Sequence, residues 1–123
     1  MKDKFYYKDG TTSSEYDDYK VLHRIDGPAI EMADGQKEWY VNGKCHRVDG
    51  PAIEWGNGDR FWLVDGKCHR IDGPAVERAN GRKSWWIDEV EYSEGEFNKF
   101  IQEVKELPLA LRLIDPREWV RKL

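Results

Sequence analysis

Residues 23–29 read His-Arg-Ile-Asp-Gly-Pro-Ala, and this heptapeptide returns at 46–52, with Val in place of Ile, and at 69–75. Both steps are 23 residues long. A fixed period this short is typical of a repeat unit that cannot bury its own apolar side chains and must stack on its neighbours. Because a glycine turn and an aromatic segment follow each copy, the repeat predicts an array of short antiparallel strands.

Two glycine-containing turns flank the aromatic segment of each unit. In the first unit, Asp34-Gly35 precedes the segment and Asn42-Gly43 follows it. We predict a two-residue hairpin at both places, because these dipeptides favour the positive φ angles that such hairpins need. The register follows: Ile30 should face Trp39 across the first turn, and Trp39 should face His46 across the second.

Alternation along these strands predicts which side chains share a face of the sheet. One face, which we name the Trp face, should carry Ile30, Trp39, Val41 and His46 in the first unit. The opposite face should carry Ala29, Glu31, Tyr40, Cys45 and Arg47. Because the next two units repeat this sorting, we expect a continuous apolar row on the Trp face, and such a row must be covered.

The last segment of the chain is the expected cover. Residues 93–123 predict two short amphipathic helices, the first begun by a capping box of Ser93 and Glu96. The second should begin at Asp115, which Pro116 follows. We expect these helices to pack on the Trp face at the end of the sheet.

The chain is therefore predicted to be one domain, mainly β with a C-terminal helical cap (α+β), built as an elongated antiparallel sheet of stacked 23-residue hairpin repeats. Residues 1–22 form a degenerate amino-terminal hairpin or cap, residues 23–92 the repeats, and residues 93–123 the helices. Phe5-Tyr6-Tyr7 followed by Asp9-Gly10 indicates a strand and a turn at the amino-terminal end.

The composition argues against several classes of protein. The 123 residues are 36% charged and 13% aromatic with a net charge of −4, and no segment is basic enough to indicate nucleic-acid binding. The sequence has no apolar run of membrane-spanning length and no signal-peptide pattern. We therefore expect a soluble cytoplasmic protein without a membrane span.

Residues 39–46, Trp-Tyr-Val-Asn-Gly-Lys-Cys-His, resemble the core of MORN repeats, which also recur every 23 residues. Arg47 stands where MORN repeats have Gly, and this variant is similar to repeats of small phage and giant-virus proteins. The resemblance covers residues 23–92. It implies a single-layer sheet used for protein contact, dimerisation or lipid-headgroup binding, and here a phage-encoded protein that binds or inhibits a host protein in the host cytoplasm.

The chemically reactive residues recur with the repeat, which favours structural purposes for them. Cys45-His46 and Cys68-His69 lack zinc-ligand spacing, and their units are too far apart for a disulfide. We expect each His to stack on a Trp and to hydrogen-bond an Asp-Gly turn, and each Arg to brace its Asp-Gly-Pro turn. Ser84 is the one Ser within the array, and no residue orients it as a nucleophile. We predict no catalytic residue, metal or cofactor.

Residues that differ between units are the better candidates for binding, because the scaffold does not require them. The candidate partner-binding residues are Tyr40, Trp55, Phe61, Leu63, Trp86, Arg47 and Arg70. If the helices cover only the Trp face, Phe61, Leu63 and Trp86 form an exposed apolar patch for a protein partner. Alternatively, the amino terminus or a second copy in a homodimer buries this face.

Three functions follow as hypotheses. The first is a non-enzymatic protein–protein interaction module. The second is a binder of a small ligand or an anionic lipid headgroup through the row of Arg24, Arg47 and Arg70. The third is a metal-dependent enzyme. Stacked repeats favour the first, because they give long surfaces rather than deep pockets.

Overall fold

A computed structural model describes residues 2–108 as short strands followed by one helix. The strands are β1 (Lys4–Tyr6), β2 (Thr12–Ser13), β3 (Ile30–Glu31), β4 (Lys37–Glu38), β5 (Tyr40–Val41), β6 (Lys44–Cys45), β7 (Ile53–Glu54), β8 (Arg60–Phe61), β9 (Leu63–Val64), β10 (Lys67–Cys68), β11 (Val76–Glu77), β12 (Lys83–Ile87) and β13 (Val90–Tyr92). Helix α1 spans Glu94–Lys105. The predicted mainly β fold with a helical cap is confirmed. The second predicted helix, from Asp115, lies outside the described residues.

Nine of the strands form one antiparallel sheet in the order β13-β12-β11-β8-β7-β4-β3-β1-β2. The remaining four form two separate hairpins, β5 with β6 and β9 with β10. Each aromatic segment therefore contributes twice, because its first half joins the large sheet and its second half turns back as a hairpin. In the third unit the two halves are continuous as β12.

The second turn of each unit has the predicted geometry. Asn42 and Gly43 have φ angles of 51° and 79°, as a two-residue hairpin with both central residues left-handed requires. The N–H of His46 donates to the Trp39 carbonyl at 2.9 Å. The predicted register across this turn, with Trp39 facing His46, is therefore confirmed.

The first turn has three residues instead of two, so its predicted register is wrong by one position. Ile30 pairs with Glu38 and not with Trp39. Gly35 has a φ of 97°, whereas Asp34 has no positive φ and its Oδ1 accepts a backbone N–H two residues further on. This is a type I turn closed by a left-handed glycine, and Asp-Gly fits it as well as it fits the two-residue turn.

The observed register gives the large sheet one largely apolar row and one charged row on opposite faces, since paired residues share a face. The first row is Phe5, Ile30, Glu38, Ile53, Phe61, Val76 and Ser84. The second is Lys4, Glu31, Lys37, Glu54, Arg60, Glu77 and Lys83, in which opposite charges alternate without a break. The charged row lies on the Trp face, because Arg47 contacts both Trp39 and Glu54 there. Ile30 therefore lies on the face opposite to the Trp face, and the prediction that it lies on the Trp face is wrong.

The larger buried apolar side chains gather at the two ends of the array. The amino-terminal cluster is Phe5, Tyr7, Leu22, Ala29 and Ile30, and the carboxyl-terminal cluster is Ile87, Phe97, Phe100 and Val104. Between them, Ala52 and Ala75 are fully buried small residues. Most of the apolar packing therefore lies in the two caps, as stacked repeats require.

At the amino-terminal end, an aromatic strand with a long inserted loop completes the array. Tyr6 takes the position of Trp39, because the N–H groups of both donate to the buried Ala of the neighbouring loop at 2.8 Å. Tyr7 pairs with Leu22, which lies fifteen residues later in the chain. The corresponding pair in the next unit, Tyr40 and Cys45, is separated by five residues. The aromatic strand is thus Lys4–Tyr6, and Tyr16, which lies 23 residues before Trp39, belongs to the insertion.

Candidate partner-binding surface

The Trp face carries one stacked Arg in each unit. The Arg47 guanidinium lies 3.9 Å from the Trp39 ring centroid, and that of Arg70 lies 3.9 Å from Trp62. The amino-terminal unit has the same arrangement with a Tyr ring. The predicted placement of Arg47 and Arg70 on the opposite face is therefore wrong. The chain leaves its strand at His46, so alternation no longer applies and the next side chain folds back over the indole.

Each stacked Arg is also held by a fixed set of acceptors. Arg47 Nε donates to Asp49 Oδ1 at 3.0 Å, and its Nη1 donates to the Pro51 carbonyl at 3.1 Å. Nη1 also lies 3.7 Å from Glu54 Oε1. A Cβ added at Gly50 would come within 2.8 Å of the guanidinium carbon, so any other residue there would displace the Arg47 side chain. The predicted bracing of the Asp-Gly-Pro turn is confirmed. Two carboxylates already match the Arg charge, which weakens the anionic-headgroup alternative.

The His side chains join each hairpin to the following one. His46 Nδ1 accepts the Asp65 N–H at 3.0 Å, and His69 Nδ1 accepts the Asp88 N–H at 3.0 Å. His23 makes the same bond in the first unit. The predicted hydrogen bond between a His and a turn therefore exists, but it reaches the two-residue turn of the next hairpin. The residue that stacks on the Trp39 ring is Arg47, and the one that stacks on Trp62 is Arg70.

Successive heptapeptide loops enclose two open grooves of the same construction. The first groove, of about 590 Å³, has Trp39 and Val41 on its floor. The second, of about 540 Å³, has Trp62 and Val64 in the same places. Val48 lines both grooves, because its loop is the wall between them. Each groove thus has an apolar floor and walls that repeat every 23 residues.

An aliphatic side chain stands at the tip of each wall. Ile25, Val48 and Ile71, which we name the aliphatic row, are 79%, 83% and 37% exposed. They occupy the one variable position of the heptapeptide, and each precedes an Asp whose side chain is at least 80% exposed. Internal packing does not explain apolar residues that project into solvent at three equivalent places. The sequence prediction missed this row, although its signal was visible: the variable position is aliphatic in every copy.

The corresponding groove over Trp85 is lined on one side by a helix, because the repeat ends there. We name it the closed groove, although a cavity of about 510 Å³ remains between the helix and the loop of Ile71. Ser93 stands 23 residues after Arg70, where the next stacked Arg would be. Its Oγ accepts the Glu96 N–H at 3.1 Å, and the Glu96 carboxylate accepts the Ser93 N–H at 3.0 Å. The predicted capping box is therefore confirmed, and it begins helix α1 at the point where the array ends.

Helix α1 packs on the Trp face, as predicted. Phe97 is 4% exposed and belongs to the same cluster as Ile87, which is completely buried on the floor of this groove. Trp85 and Ile101 pack against that cluster, and both line the remaining cavity together with Ile71. Only the third of the three equivalent grooves therefore has an apolar cover within the described residues 2–108.

The opposite face carries the apolar candidates from the sequence. Tyr40, Phe61, Leu63 and Trp86 are half-buried there, and Trp55 is 45% exposed. The Tyr40 hydroxyl donates to Glu38 at 3.0 Å, and burial, followed by the charge of Glu38, raises the Tyr40 pKa. Trp86 Nε1 donates to Ser84 at 2.8 Å. Of the seven candidates, Arg47 and Arg70 meet at the second groove, and the other five lie apart from it.

The two Cys residues are free thiols, of which Cys45 is buried and Cys68 is partly buried. Burial raises the pKa of Cys45 to about 12 and raises that of Cys68, so both thiols are protonated at neutral pH. Among residues 2–108, no group of three or more His, Cys, Asp or Glu side chains is placed to hold a metal ion. In the same part of the chain, no helix has the length and apolar character to cross a membrane.

Comparisons with protein-family models, curated proteins and solved structures find no match to this chain. The likeness to MORN repeats therefore rests on the residues and the 23-residue period of this sequence. On the Trp face, the two open grooves and the aliphatic row lie side by side.

Proposed function

We propose that this chain is a non-enzymatic protein–protein interaction module that binds its partner through the two open grooves and the aliphatic row. The observation that supports this proposal is the exposure of Ile25, Val48 and Ile71 in successive units, beside groove floors that contain Trp. Apolar side chains repeated along a surface favour an extended macromolecular contact, whereas a small ligand favours one concave pocket.

The partner in this proposal is a host protein. The likeness of the repeat to those of small phage and giant-virus proteins supports a phage-encoded protein that binds or inhibits its target in the host cytoplasm. A homodimer would use the same surface on two copies. The anionic-ligand alternative would instead use Arg24, Arg47 and Arg70, each of which already contacts two carboxylates.

The test compares charge substitutions inside and outside the grooves. Val48→Asp and Ile71→Asp place a carboxylate on the aliphatic row, and Val90→Asp is the matched control. Val90 is 49% exposed and lies on β13, outside the residues that line the grooves. Each tagged protein is used to capture partners from a candidate host lysate, and the captured proteins are quantified by mass spectrometry.

We expect a captured protein whose yield falls at least tenfold for Val48→Asp and Ile71→Asp and stays unchanged for Val90→Asp. Far-ultraviolet circular dichroism and urea midpoints check that all variants remain folded. The proposal fails if no captured protein distinguishes the row variants from the control. It also fails if Phe61→Ser with Trp86→Ser abolishes capture while the row variants retain it.

A further inference from the structure

We propose that the two open grooves bind an amphipathic helix of the partner, with large apolar side chains every seven residues flanked by Lys or Arg. This inference rests on the proposed function and names the ligand of the same surface. Three observations carry it: the element that closes the third groove, the spacing of the units and the charge on the loop walls.

The closed groove indicates what a floor of this kind accepts. Helix α1 covers Trp85 and Ile87 with Phe97, Ile101 and Val104, which follow one another at i, i+4 and i+7 on one helix face. The open grooves have Trp and Val at the corresponding floor positions, and each Trp there also carries a stacked Arg, which Ser93 replaces in the closed groove. An amphipathic helix with aromatic and aliphatic side chains is therefore the chemistry that this protein itself places on such a floor.

The spacing of the grooves also suits a helix. Successive units are separated by two strands, which is roughly 10 Å. A helix rises about 1.5 Å per residue, so seven residues and two turns advance about 10.5 Å and return to the same face. A partner helix lying across the strands would place one side chain in each groove, on either side of Val48. An extended β-segment covers this distance in about three residues, and its i and i+3 side chains point to opposite sides.

The loop walls present negative charge to the partner. The Asp26, Asp49 and Asp72 side chains are 87%, 81% and 80% exposed, whereas the Arg partners fold inward over aromatic rings. In the closed groove, Lys105 of helix α1 lines the same cavity as Asp72. Basic residues flanking the apolar stripe of a partner helix would meet the other two Asp side chains in the same way.

The test titrates the whole protein with three Trp-free peptides and follows its own Trp fluorescence, with calorimetry as a second readout. The first peptide has about three heptads, with Phe or Leu at one heptad position and Lys beside it. The second has the same composition, with successive apolar residues moved to opposite sides of the helix. The third is Pro-rich with an apolar residue every third position, since a polyproline helix also repeats near 9 Å.

We expect the heptad peptide to bind at least tenfold more tightly than either of the others. Val48→Asp should weaken it at least tenfold, because Val48 lines both grooves, and Ile25→Asp should weaken it less, because Ile25 lines only the first. Glu in place of the peptide Lys residues should also reduce affinity. Val90→Asp should leave the dissociation constant unchanged.

Several outcomes would overturn the inference. Equal binding of the rearranged helix, tighter binding of the Pro-rich peptide, or insensitivity to Val48→Asp would each exclude a heptad helix as the ligand. If no peptide binds while lysate capture still depends on the aliphatic row, the helix is wrong and the proposed function stands. A dimer in light scattering that Val48→Asp dissociates would assign the grooves to a second copy instead.

Discussion

The closed groove over Trp85 and the open grooves over Trp39 and Trp62 have the same kind of floor but different covers. In the open grooves, a stacked Arg covers each indole and the aliphatic residue beside it is half-buried. In the closed groove, helix α1 covers the floor and the corresponding Ile87 is completely buried. Interior units are therefore joined by hydrogen bonds and cation–π contacts, whereas the final unit depends on apolar burial.

This difference follows from position in the array. The hairpin of an interior unit is bonded to the next hairpin by backbone hydrogen bonds and by a His acceptor. A stacked Arg is therefore a sufficient cover for its Trp. The final unit has no successor among the described residues, so its apolar side chains need another element. It follows that substitutions in the closed groove should mainly affect stability. Substitutions of Ile25 and Val48, which do not line that groove, should mainly affect binding.

The largest effect should come from removing the apolar cover. Phe97→Ala deletes a buried ring and should lower the free energy of unfolding by about 3–4 kcal/mol. Urea denaturation followed by circular dichroism measures this, with Lys99→Ala on the exposed side of the helix as the control, expected within about 0.5 kcal/mol. A loss below about 1 kcal/mol would contradict the contrast between the closed and open grooves.

The next largest effect should come from the His acceptors, which we expect to contribute more to stability near the closed groove. His69 is 8% exposed and its hydrogen bond to the Asp88 N–H is partly buried, so His69→Ala should cost about 2 kcal/mol. The corresponding bond of His23 is exposed, and water can replace it, so His23→Ala should cost less than about 1 kcal/mol. Equal or reversed losses of the free energy of unfolding, measured in urea, would show that burial does not determine how much these hydrogen bonds stabilise the protein.

A smaller effect is expected for the polar cover of an open groove. Arg47→Ala removes the stack on Trp39 and the bond to the Pro51 carbonyl, and should cost about 1 kcal/mol. Trp fluorescence should shift to longer wavelength as the indole becomes exposed to water. Arg82→Ala, at an exposed turn position, is the control. A loss as large as that of Phe97→Ala would mean that both covers depend equally on burial.

The smallest effect is a gain of stability in the last hairpin. Glu89 has a φ of 73°, in the place where the earlier units have Gly43 and Gly66. Glu89→Gly should raise the free energy of unfolding by about 0.5 kcal/mol, because the relief of left-handed strain exceeds the entropy that glycine adds to the unfolded chain. The reverse change, Gly66→Ala, should cost about 1 kcal/mol. Thermal unfolding of both variants checks the signs, and destabilisation by Glu89→Gly would contradict the strain argument.

Much of the fold could be read from local pattern. The 23-residue period, the two-residue turn at Asn42-Gly43 and the capping box at Ser93 depend on residues close together in the chain, and the structure has all three. The first turn could not be assigned in this way, because Asp34-Gly35 satisfies two turn geometries that differ in register by one residue. That one residue moves Ile30 to the other face of the sheet.

The candidate site depended more on tertiary structure. Local pattern established that three equivalent loops exist and that each carries an aliphatic residue between Arg and Asp. It could not establish that Arg47 folds over Trp39 or that His46 reaches the turn of the next hairpin, nineteen residues away. Both contacts lie beyond strand ends, where alternation no longer predicts side-chain direction. The stacked guanidinium lies over the Trp39 ring, and Val48, the next residue, projects into solvent on the wall between two grooves.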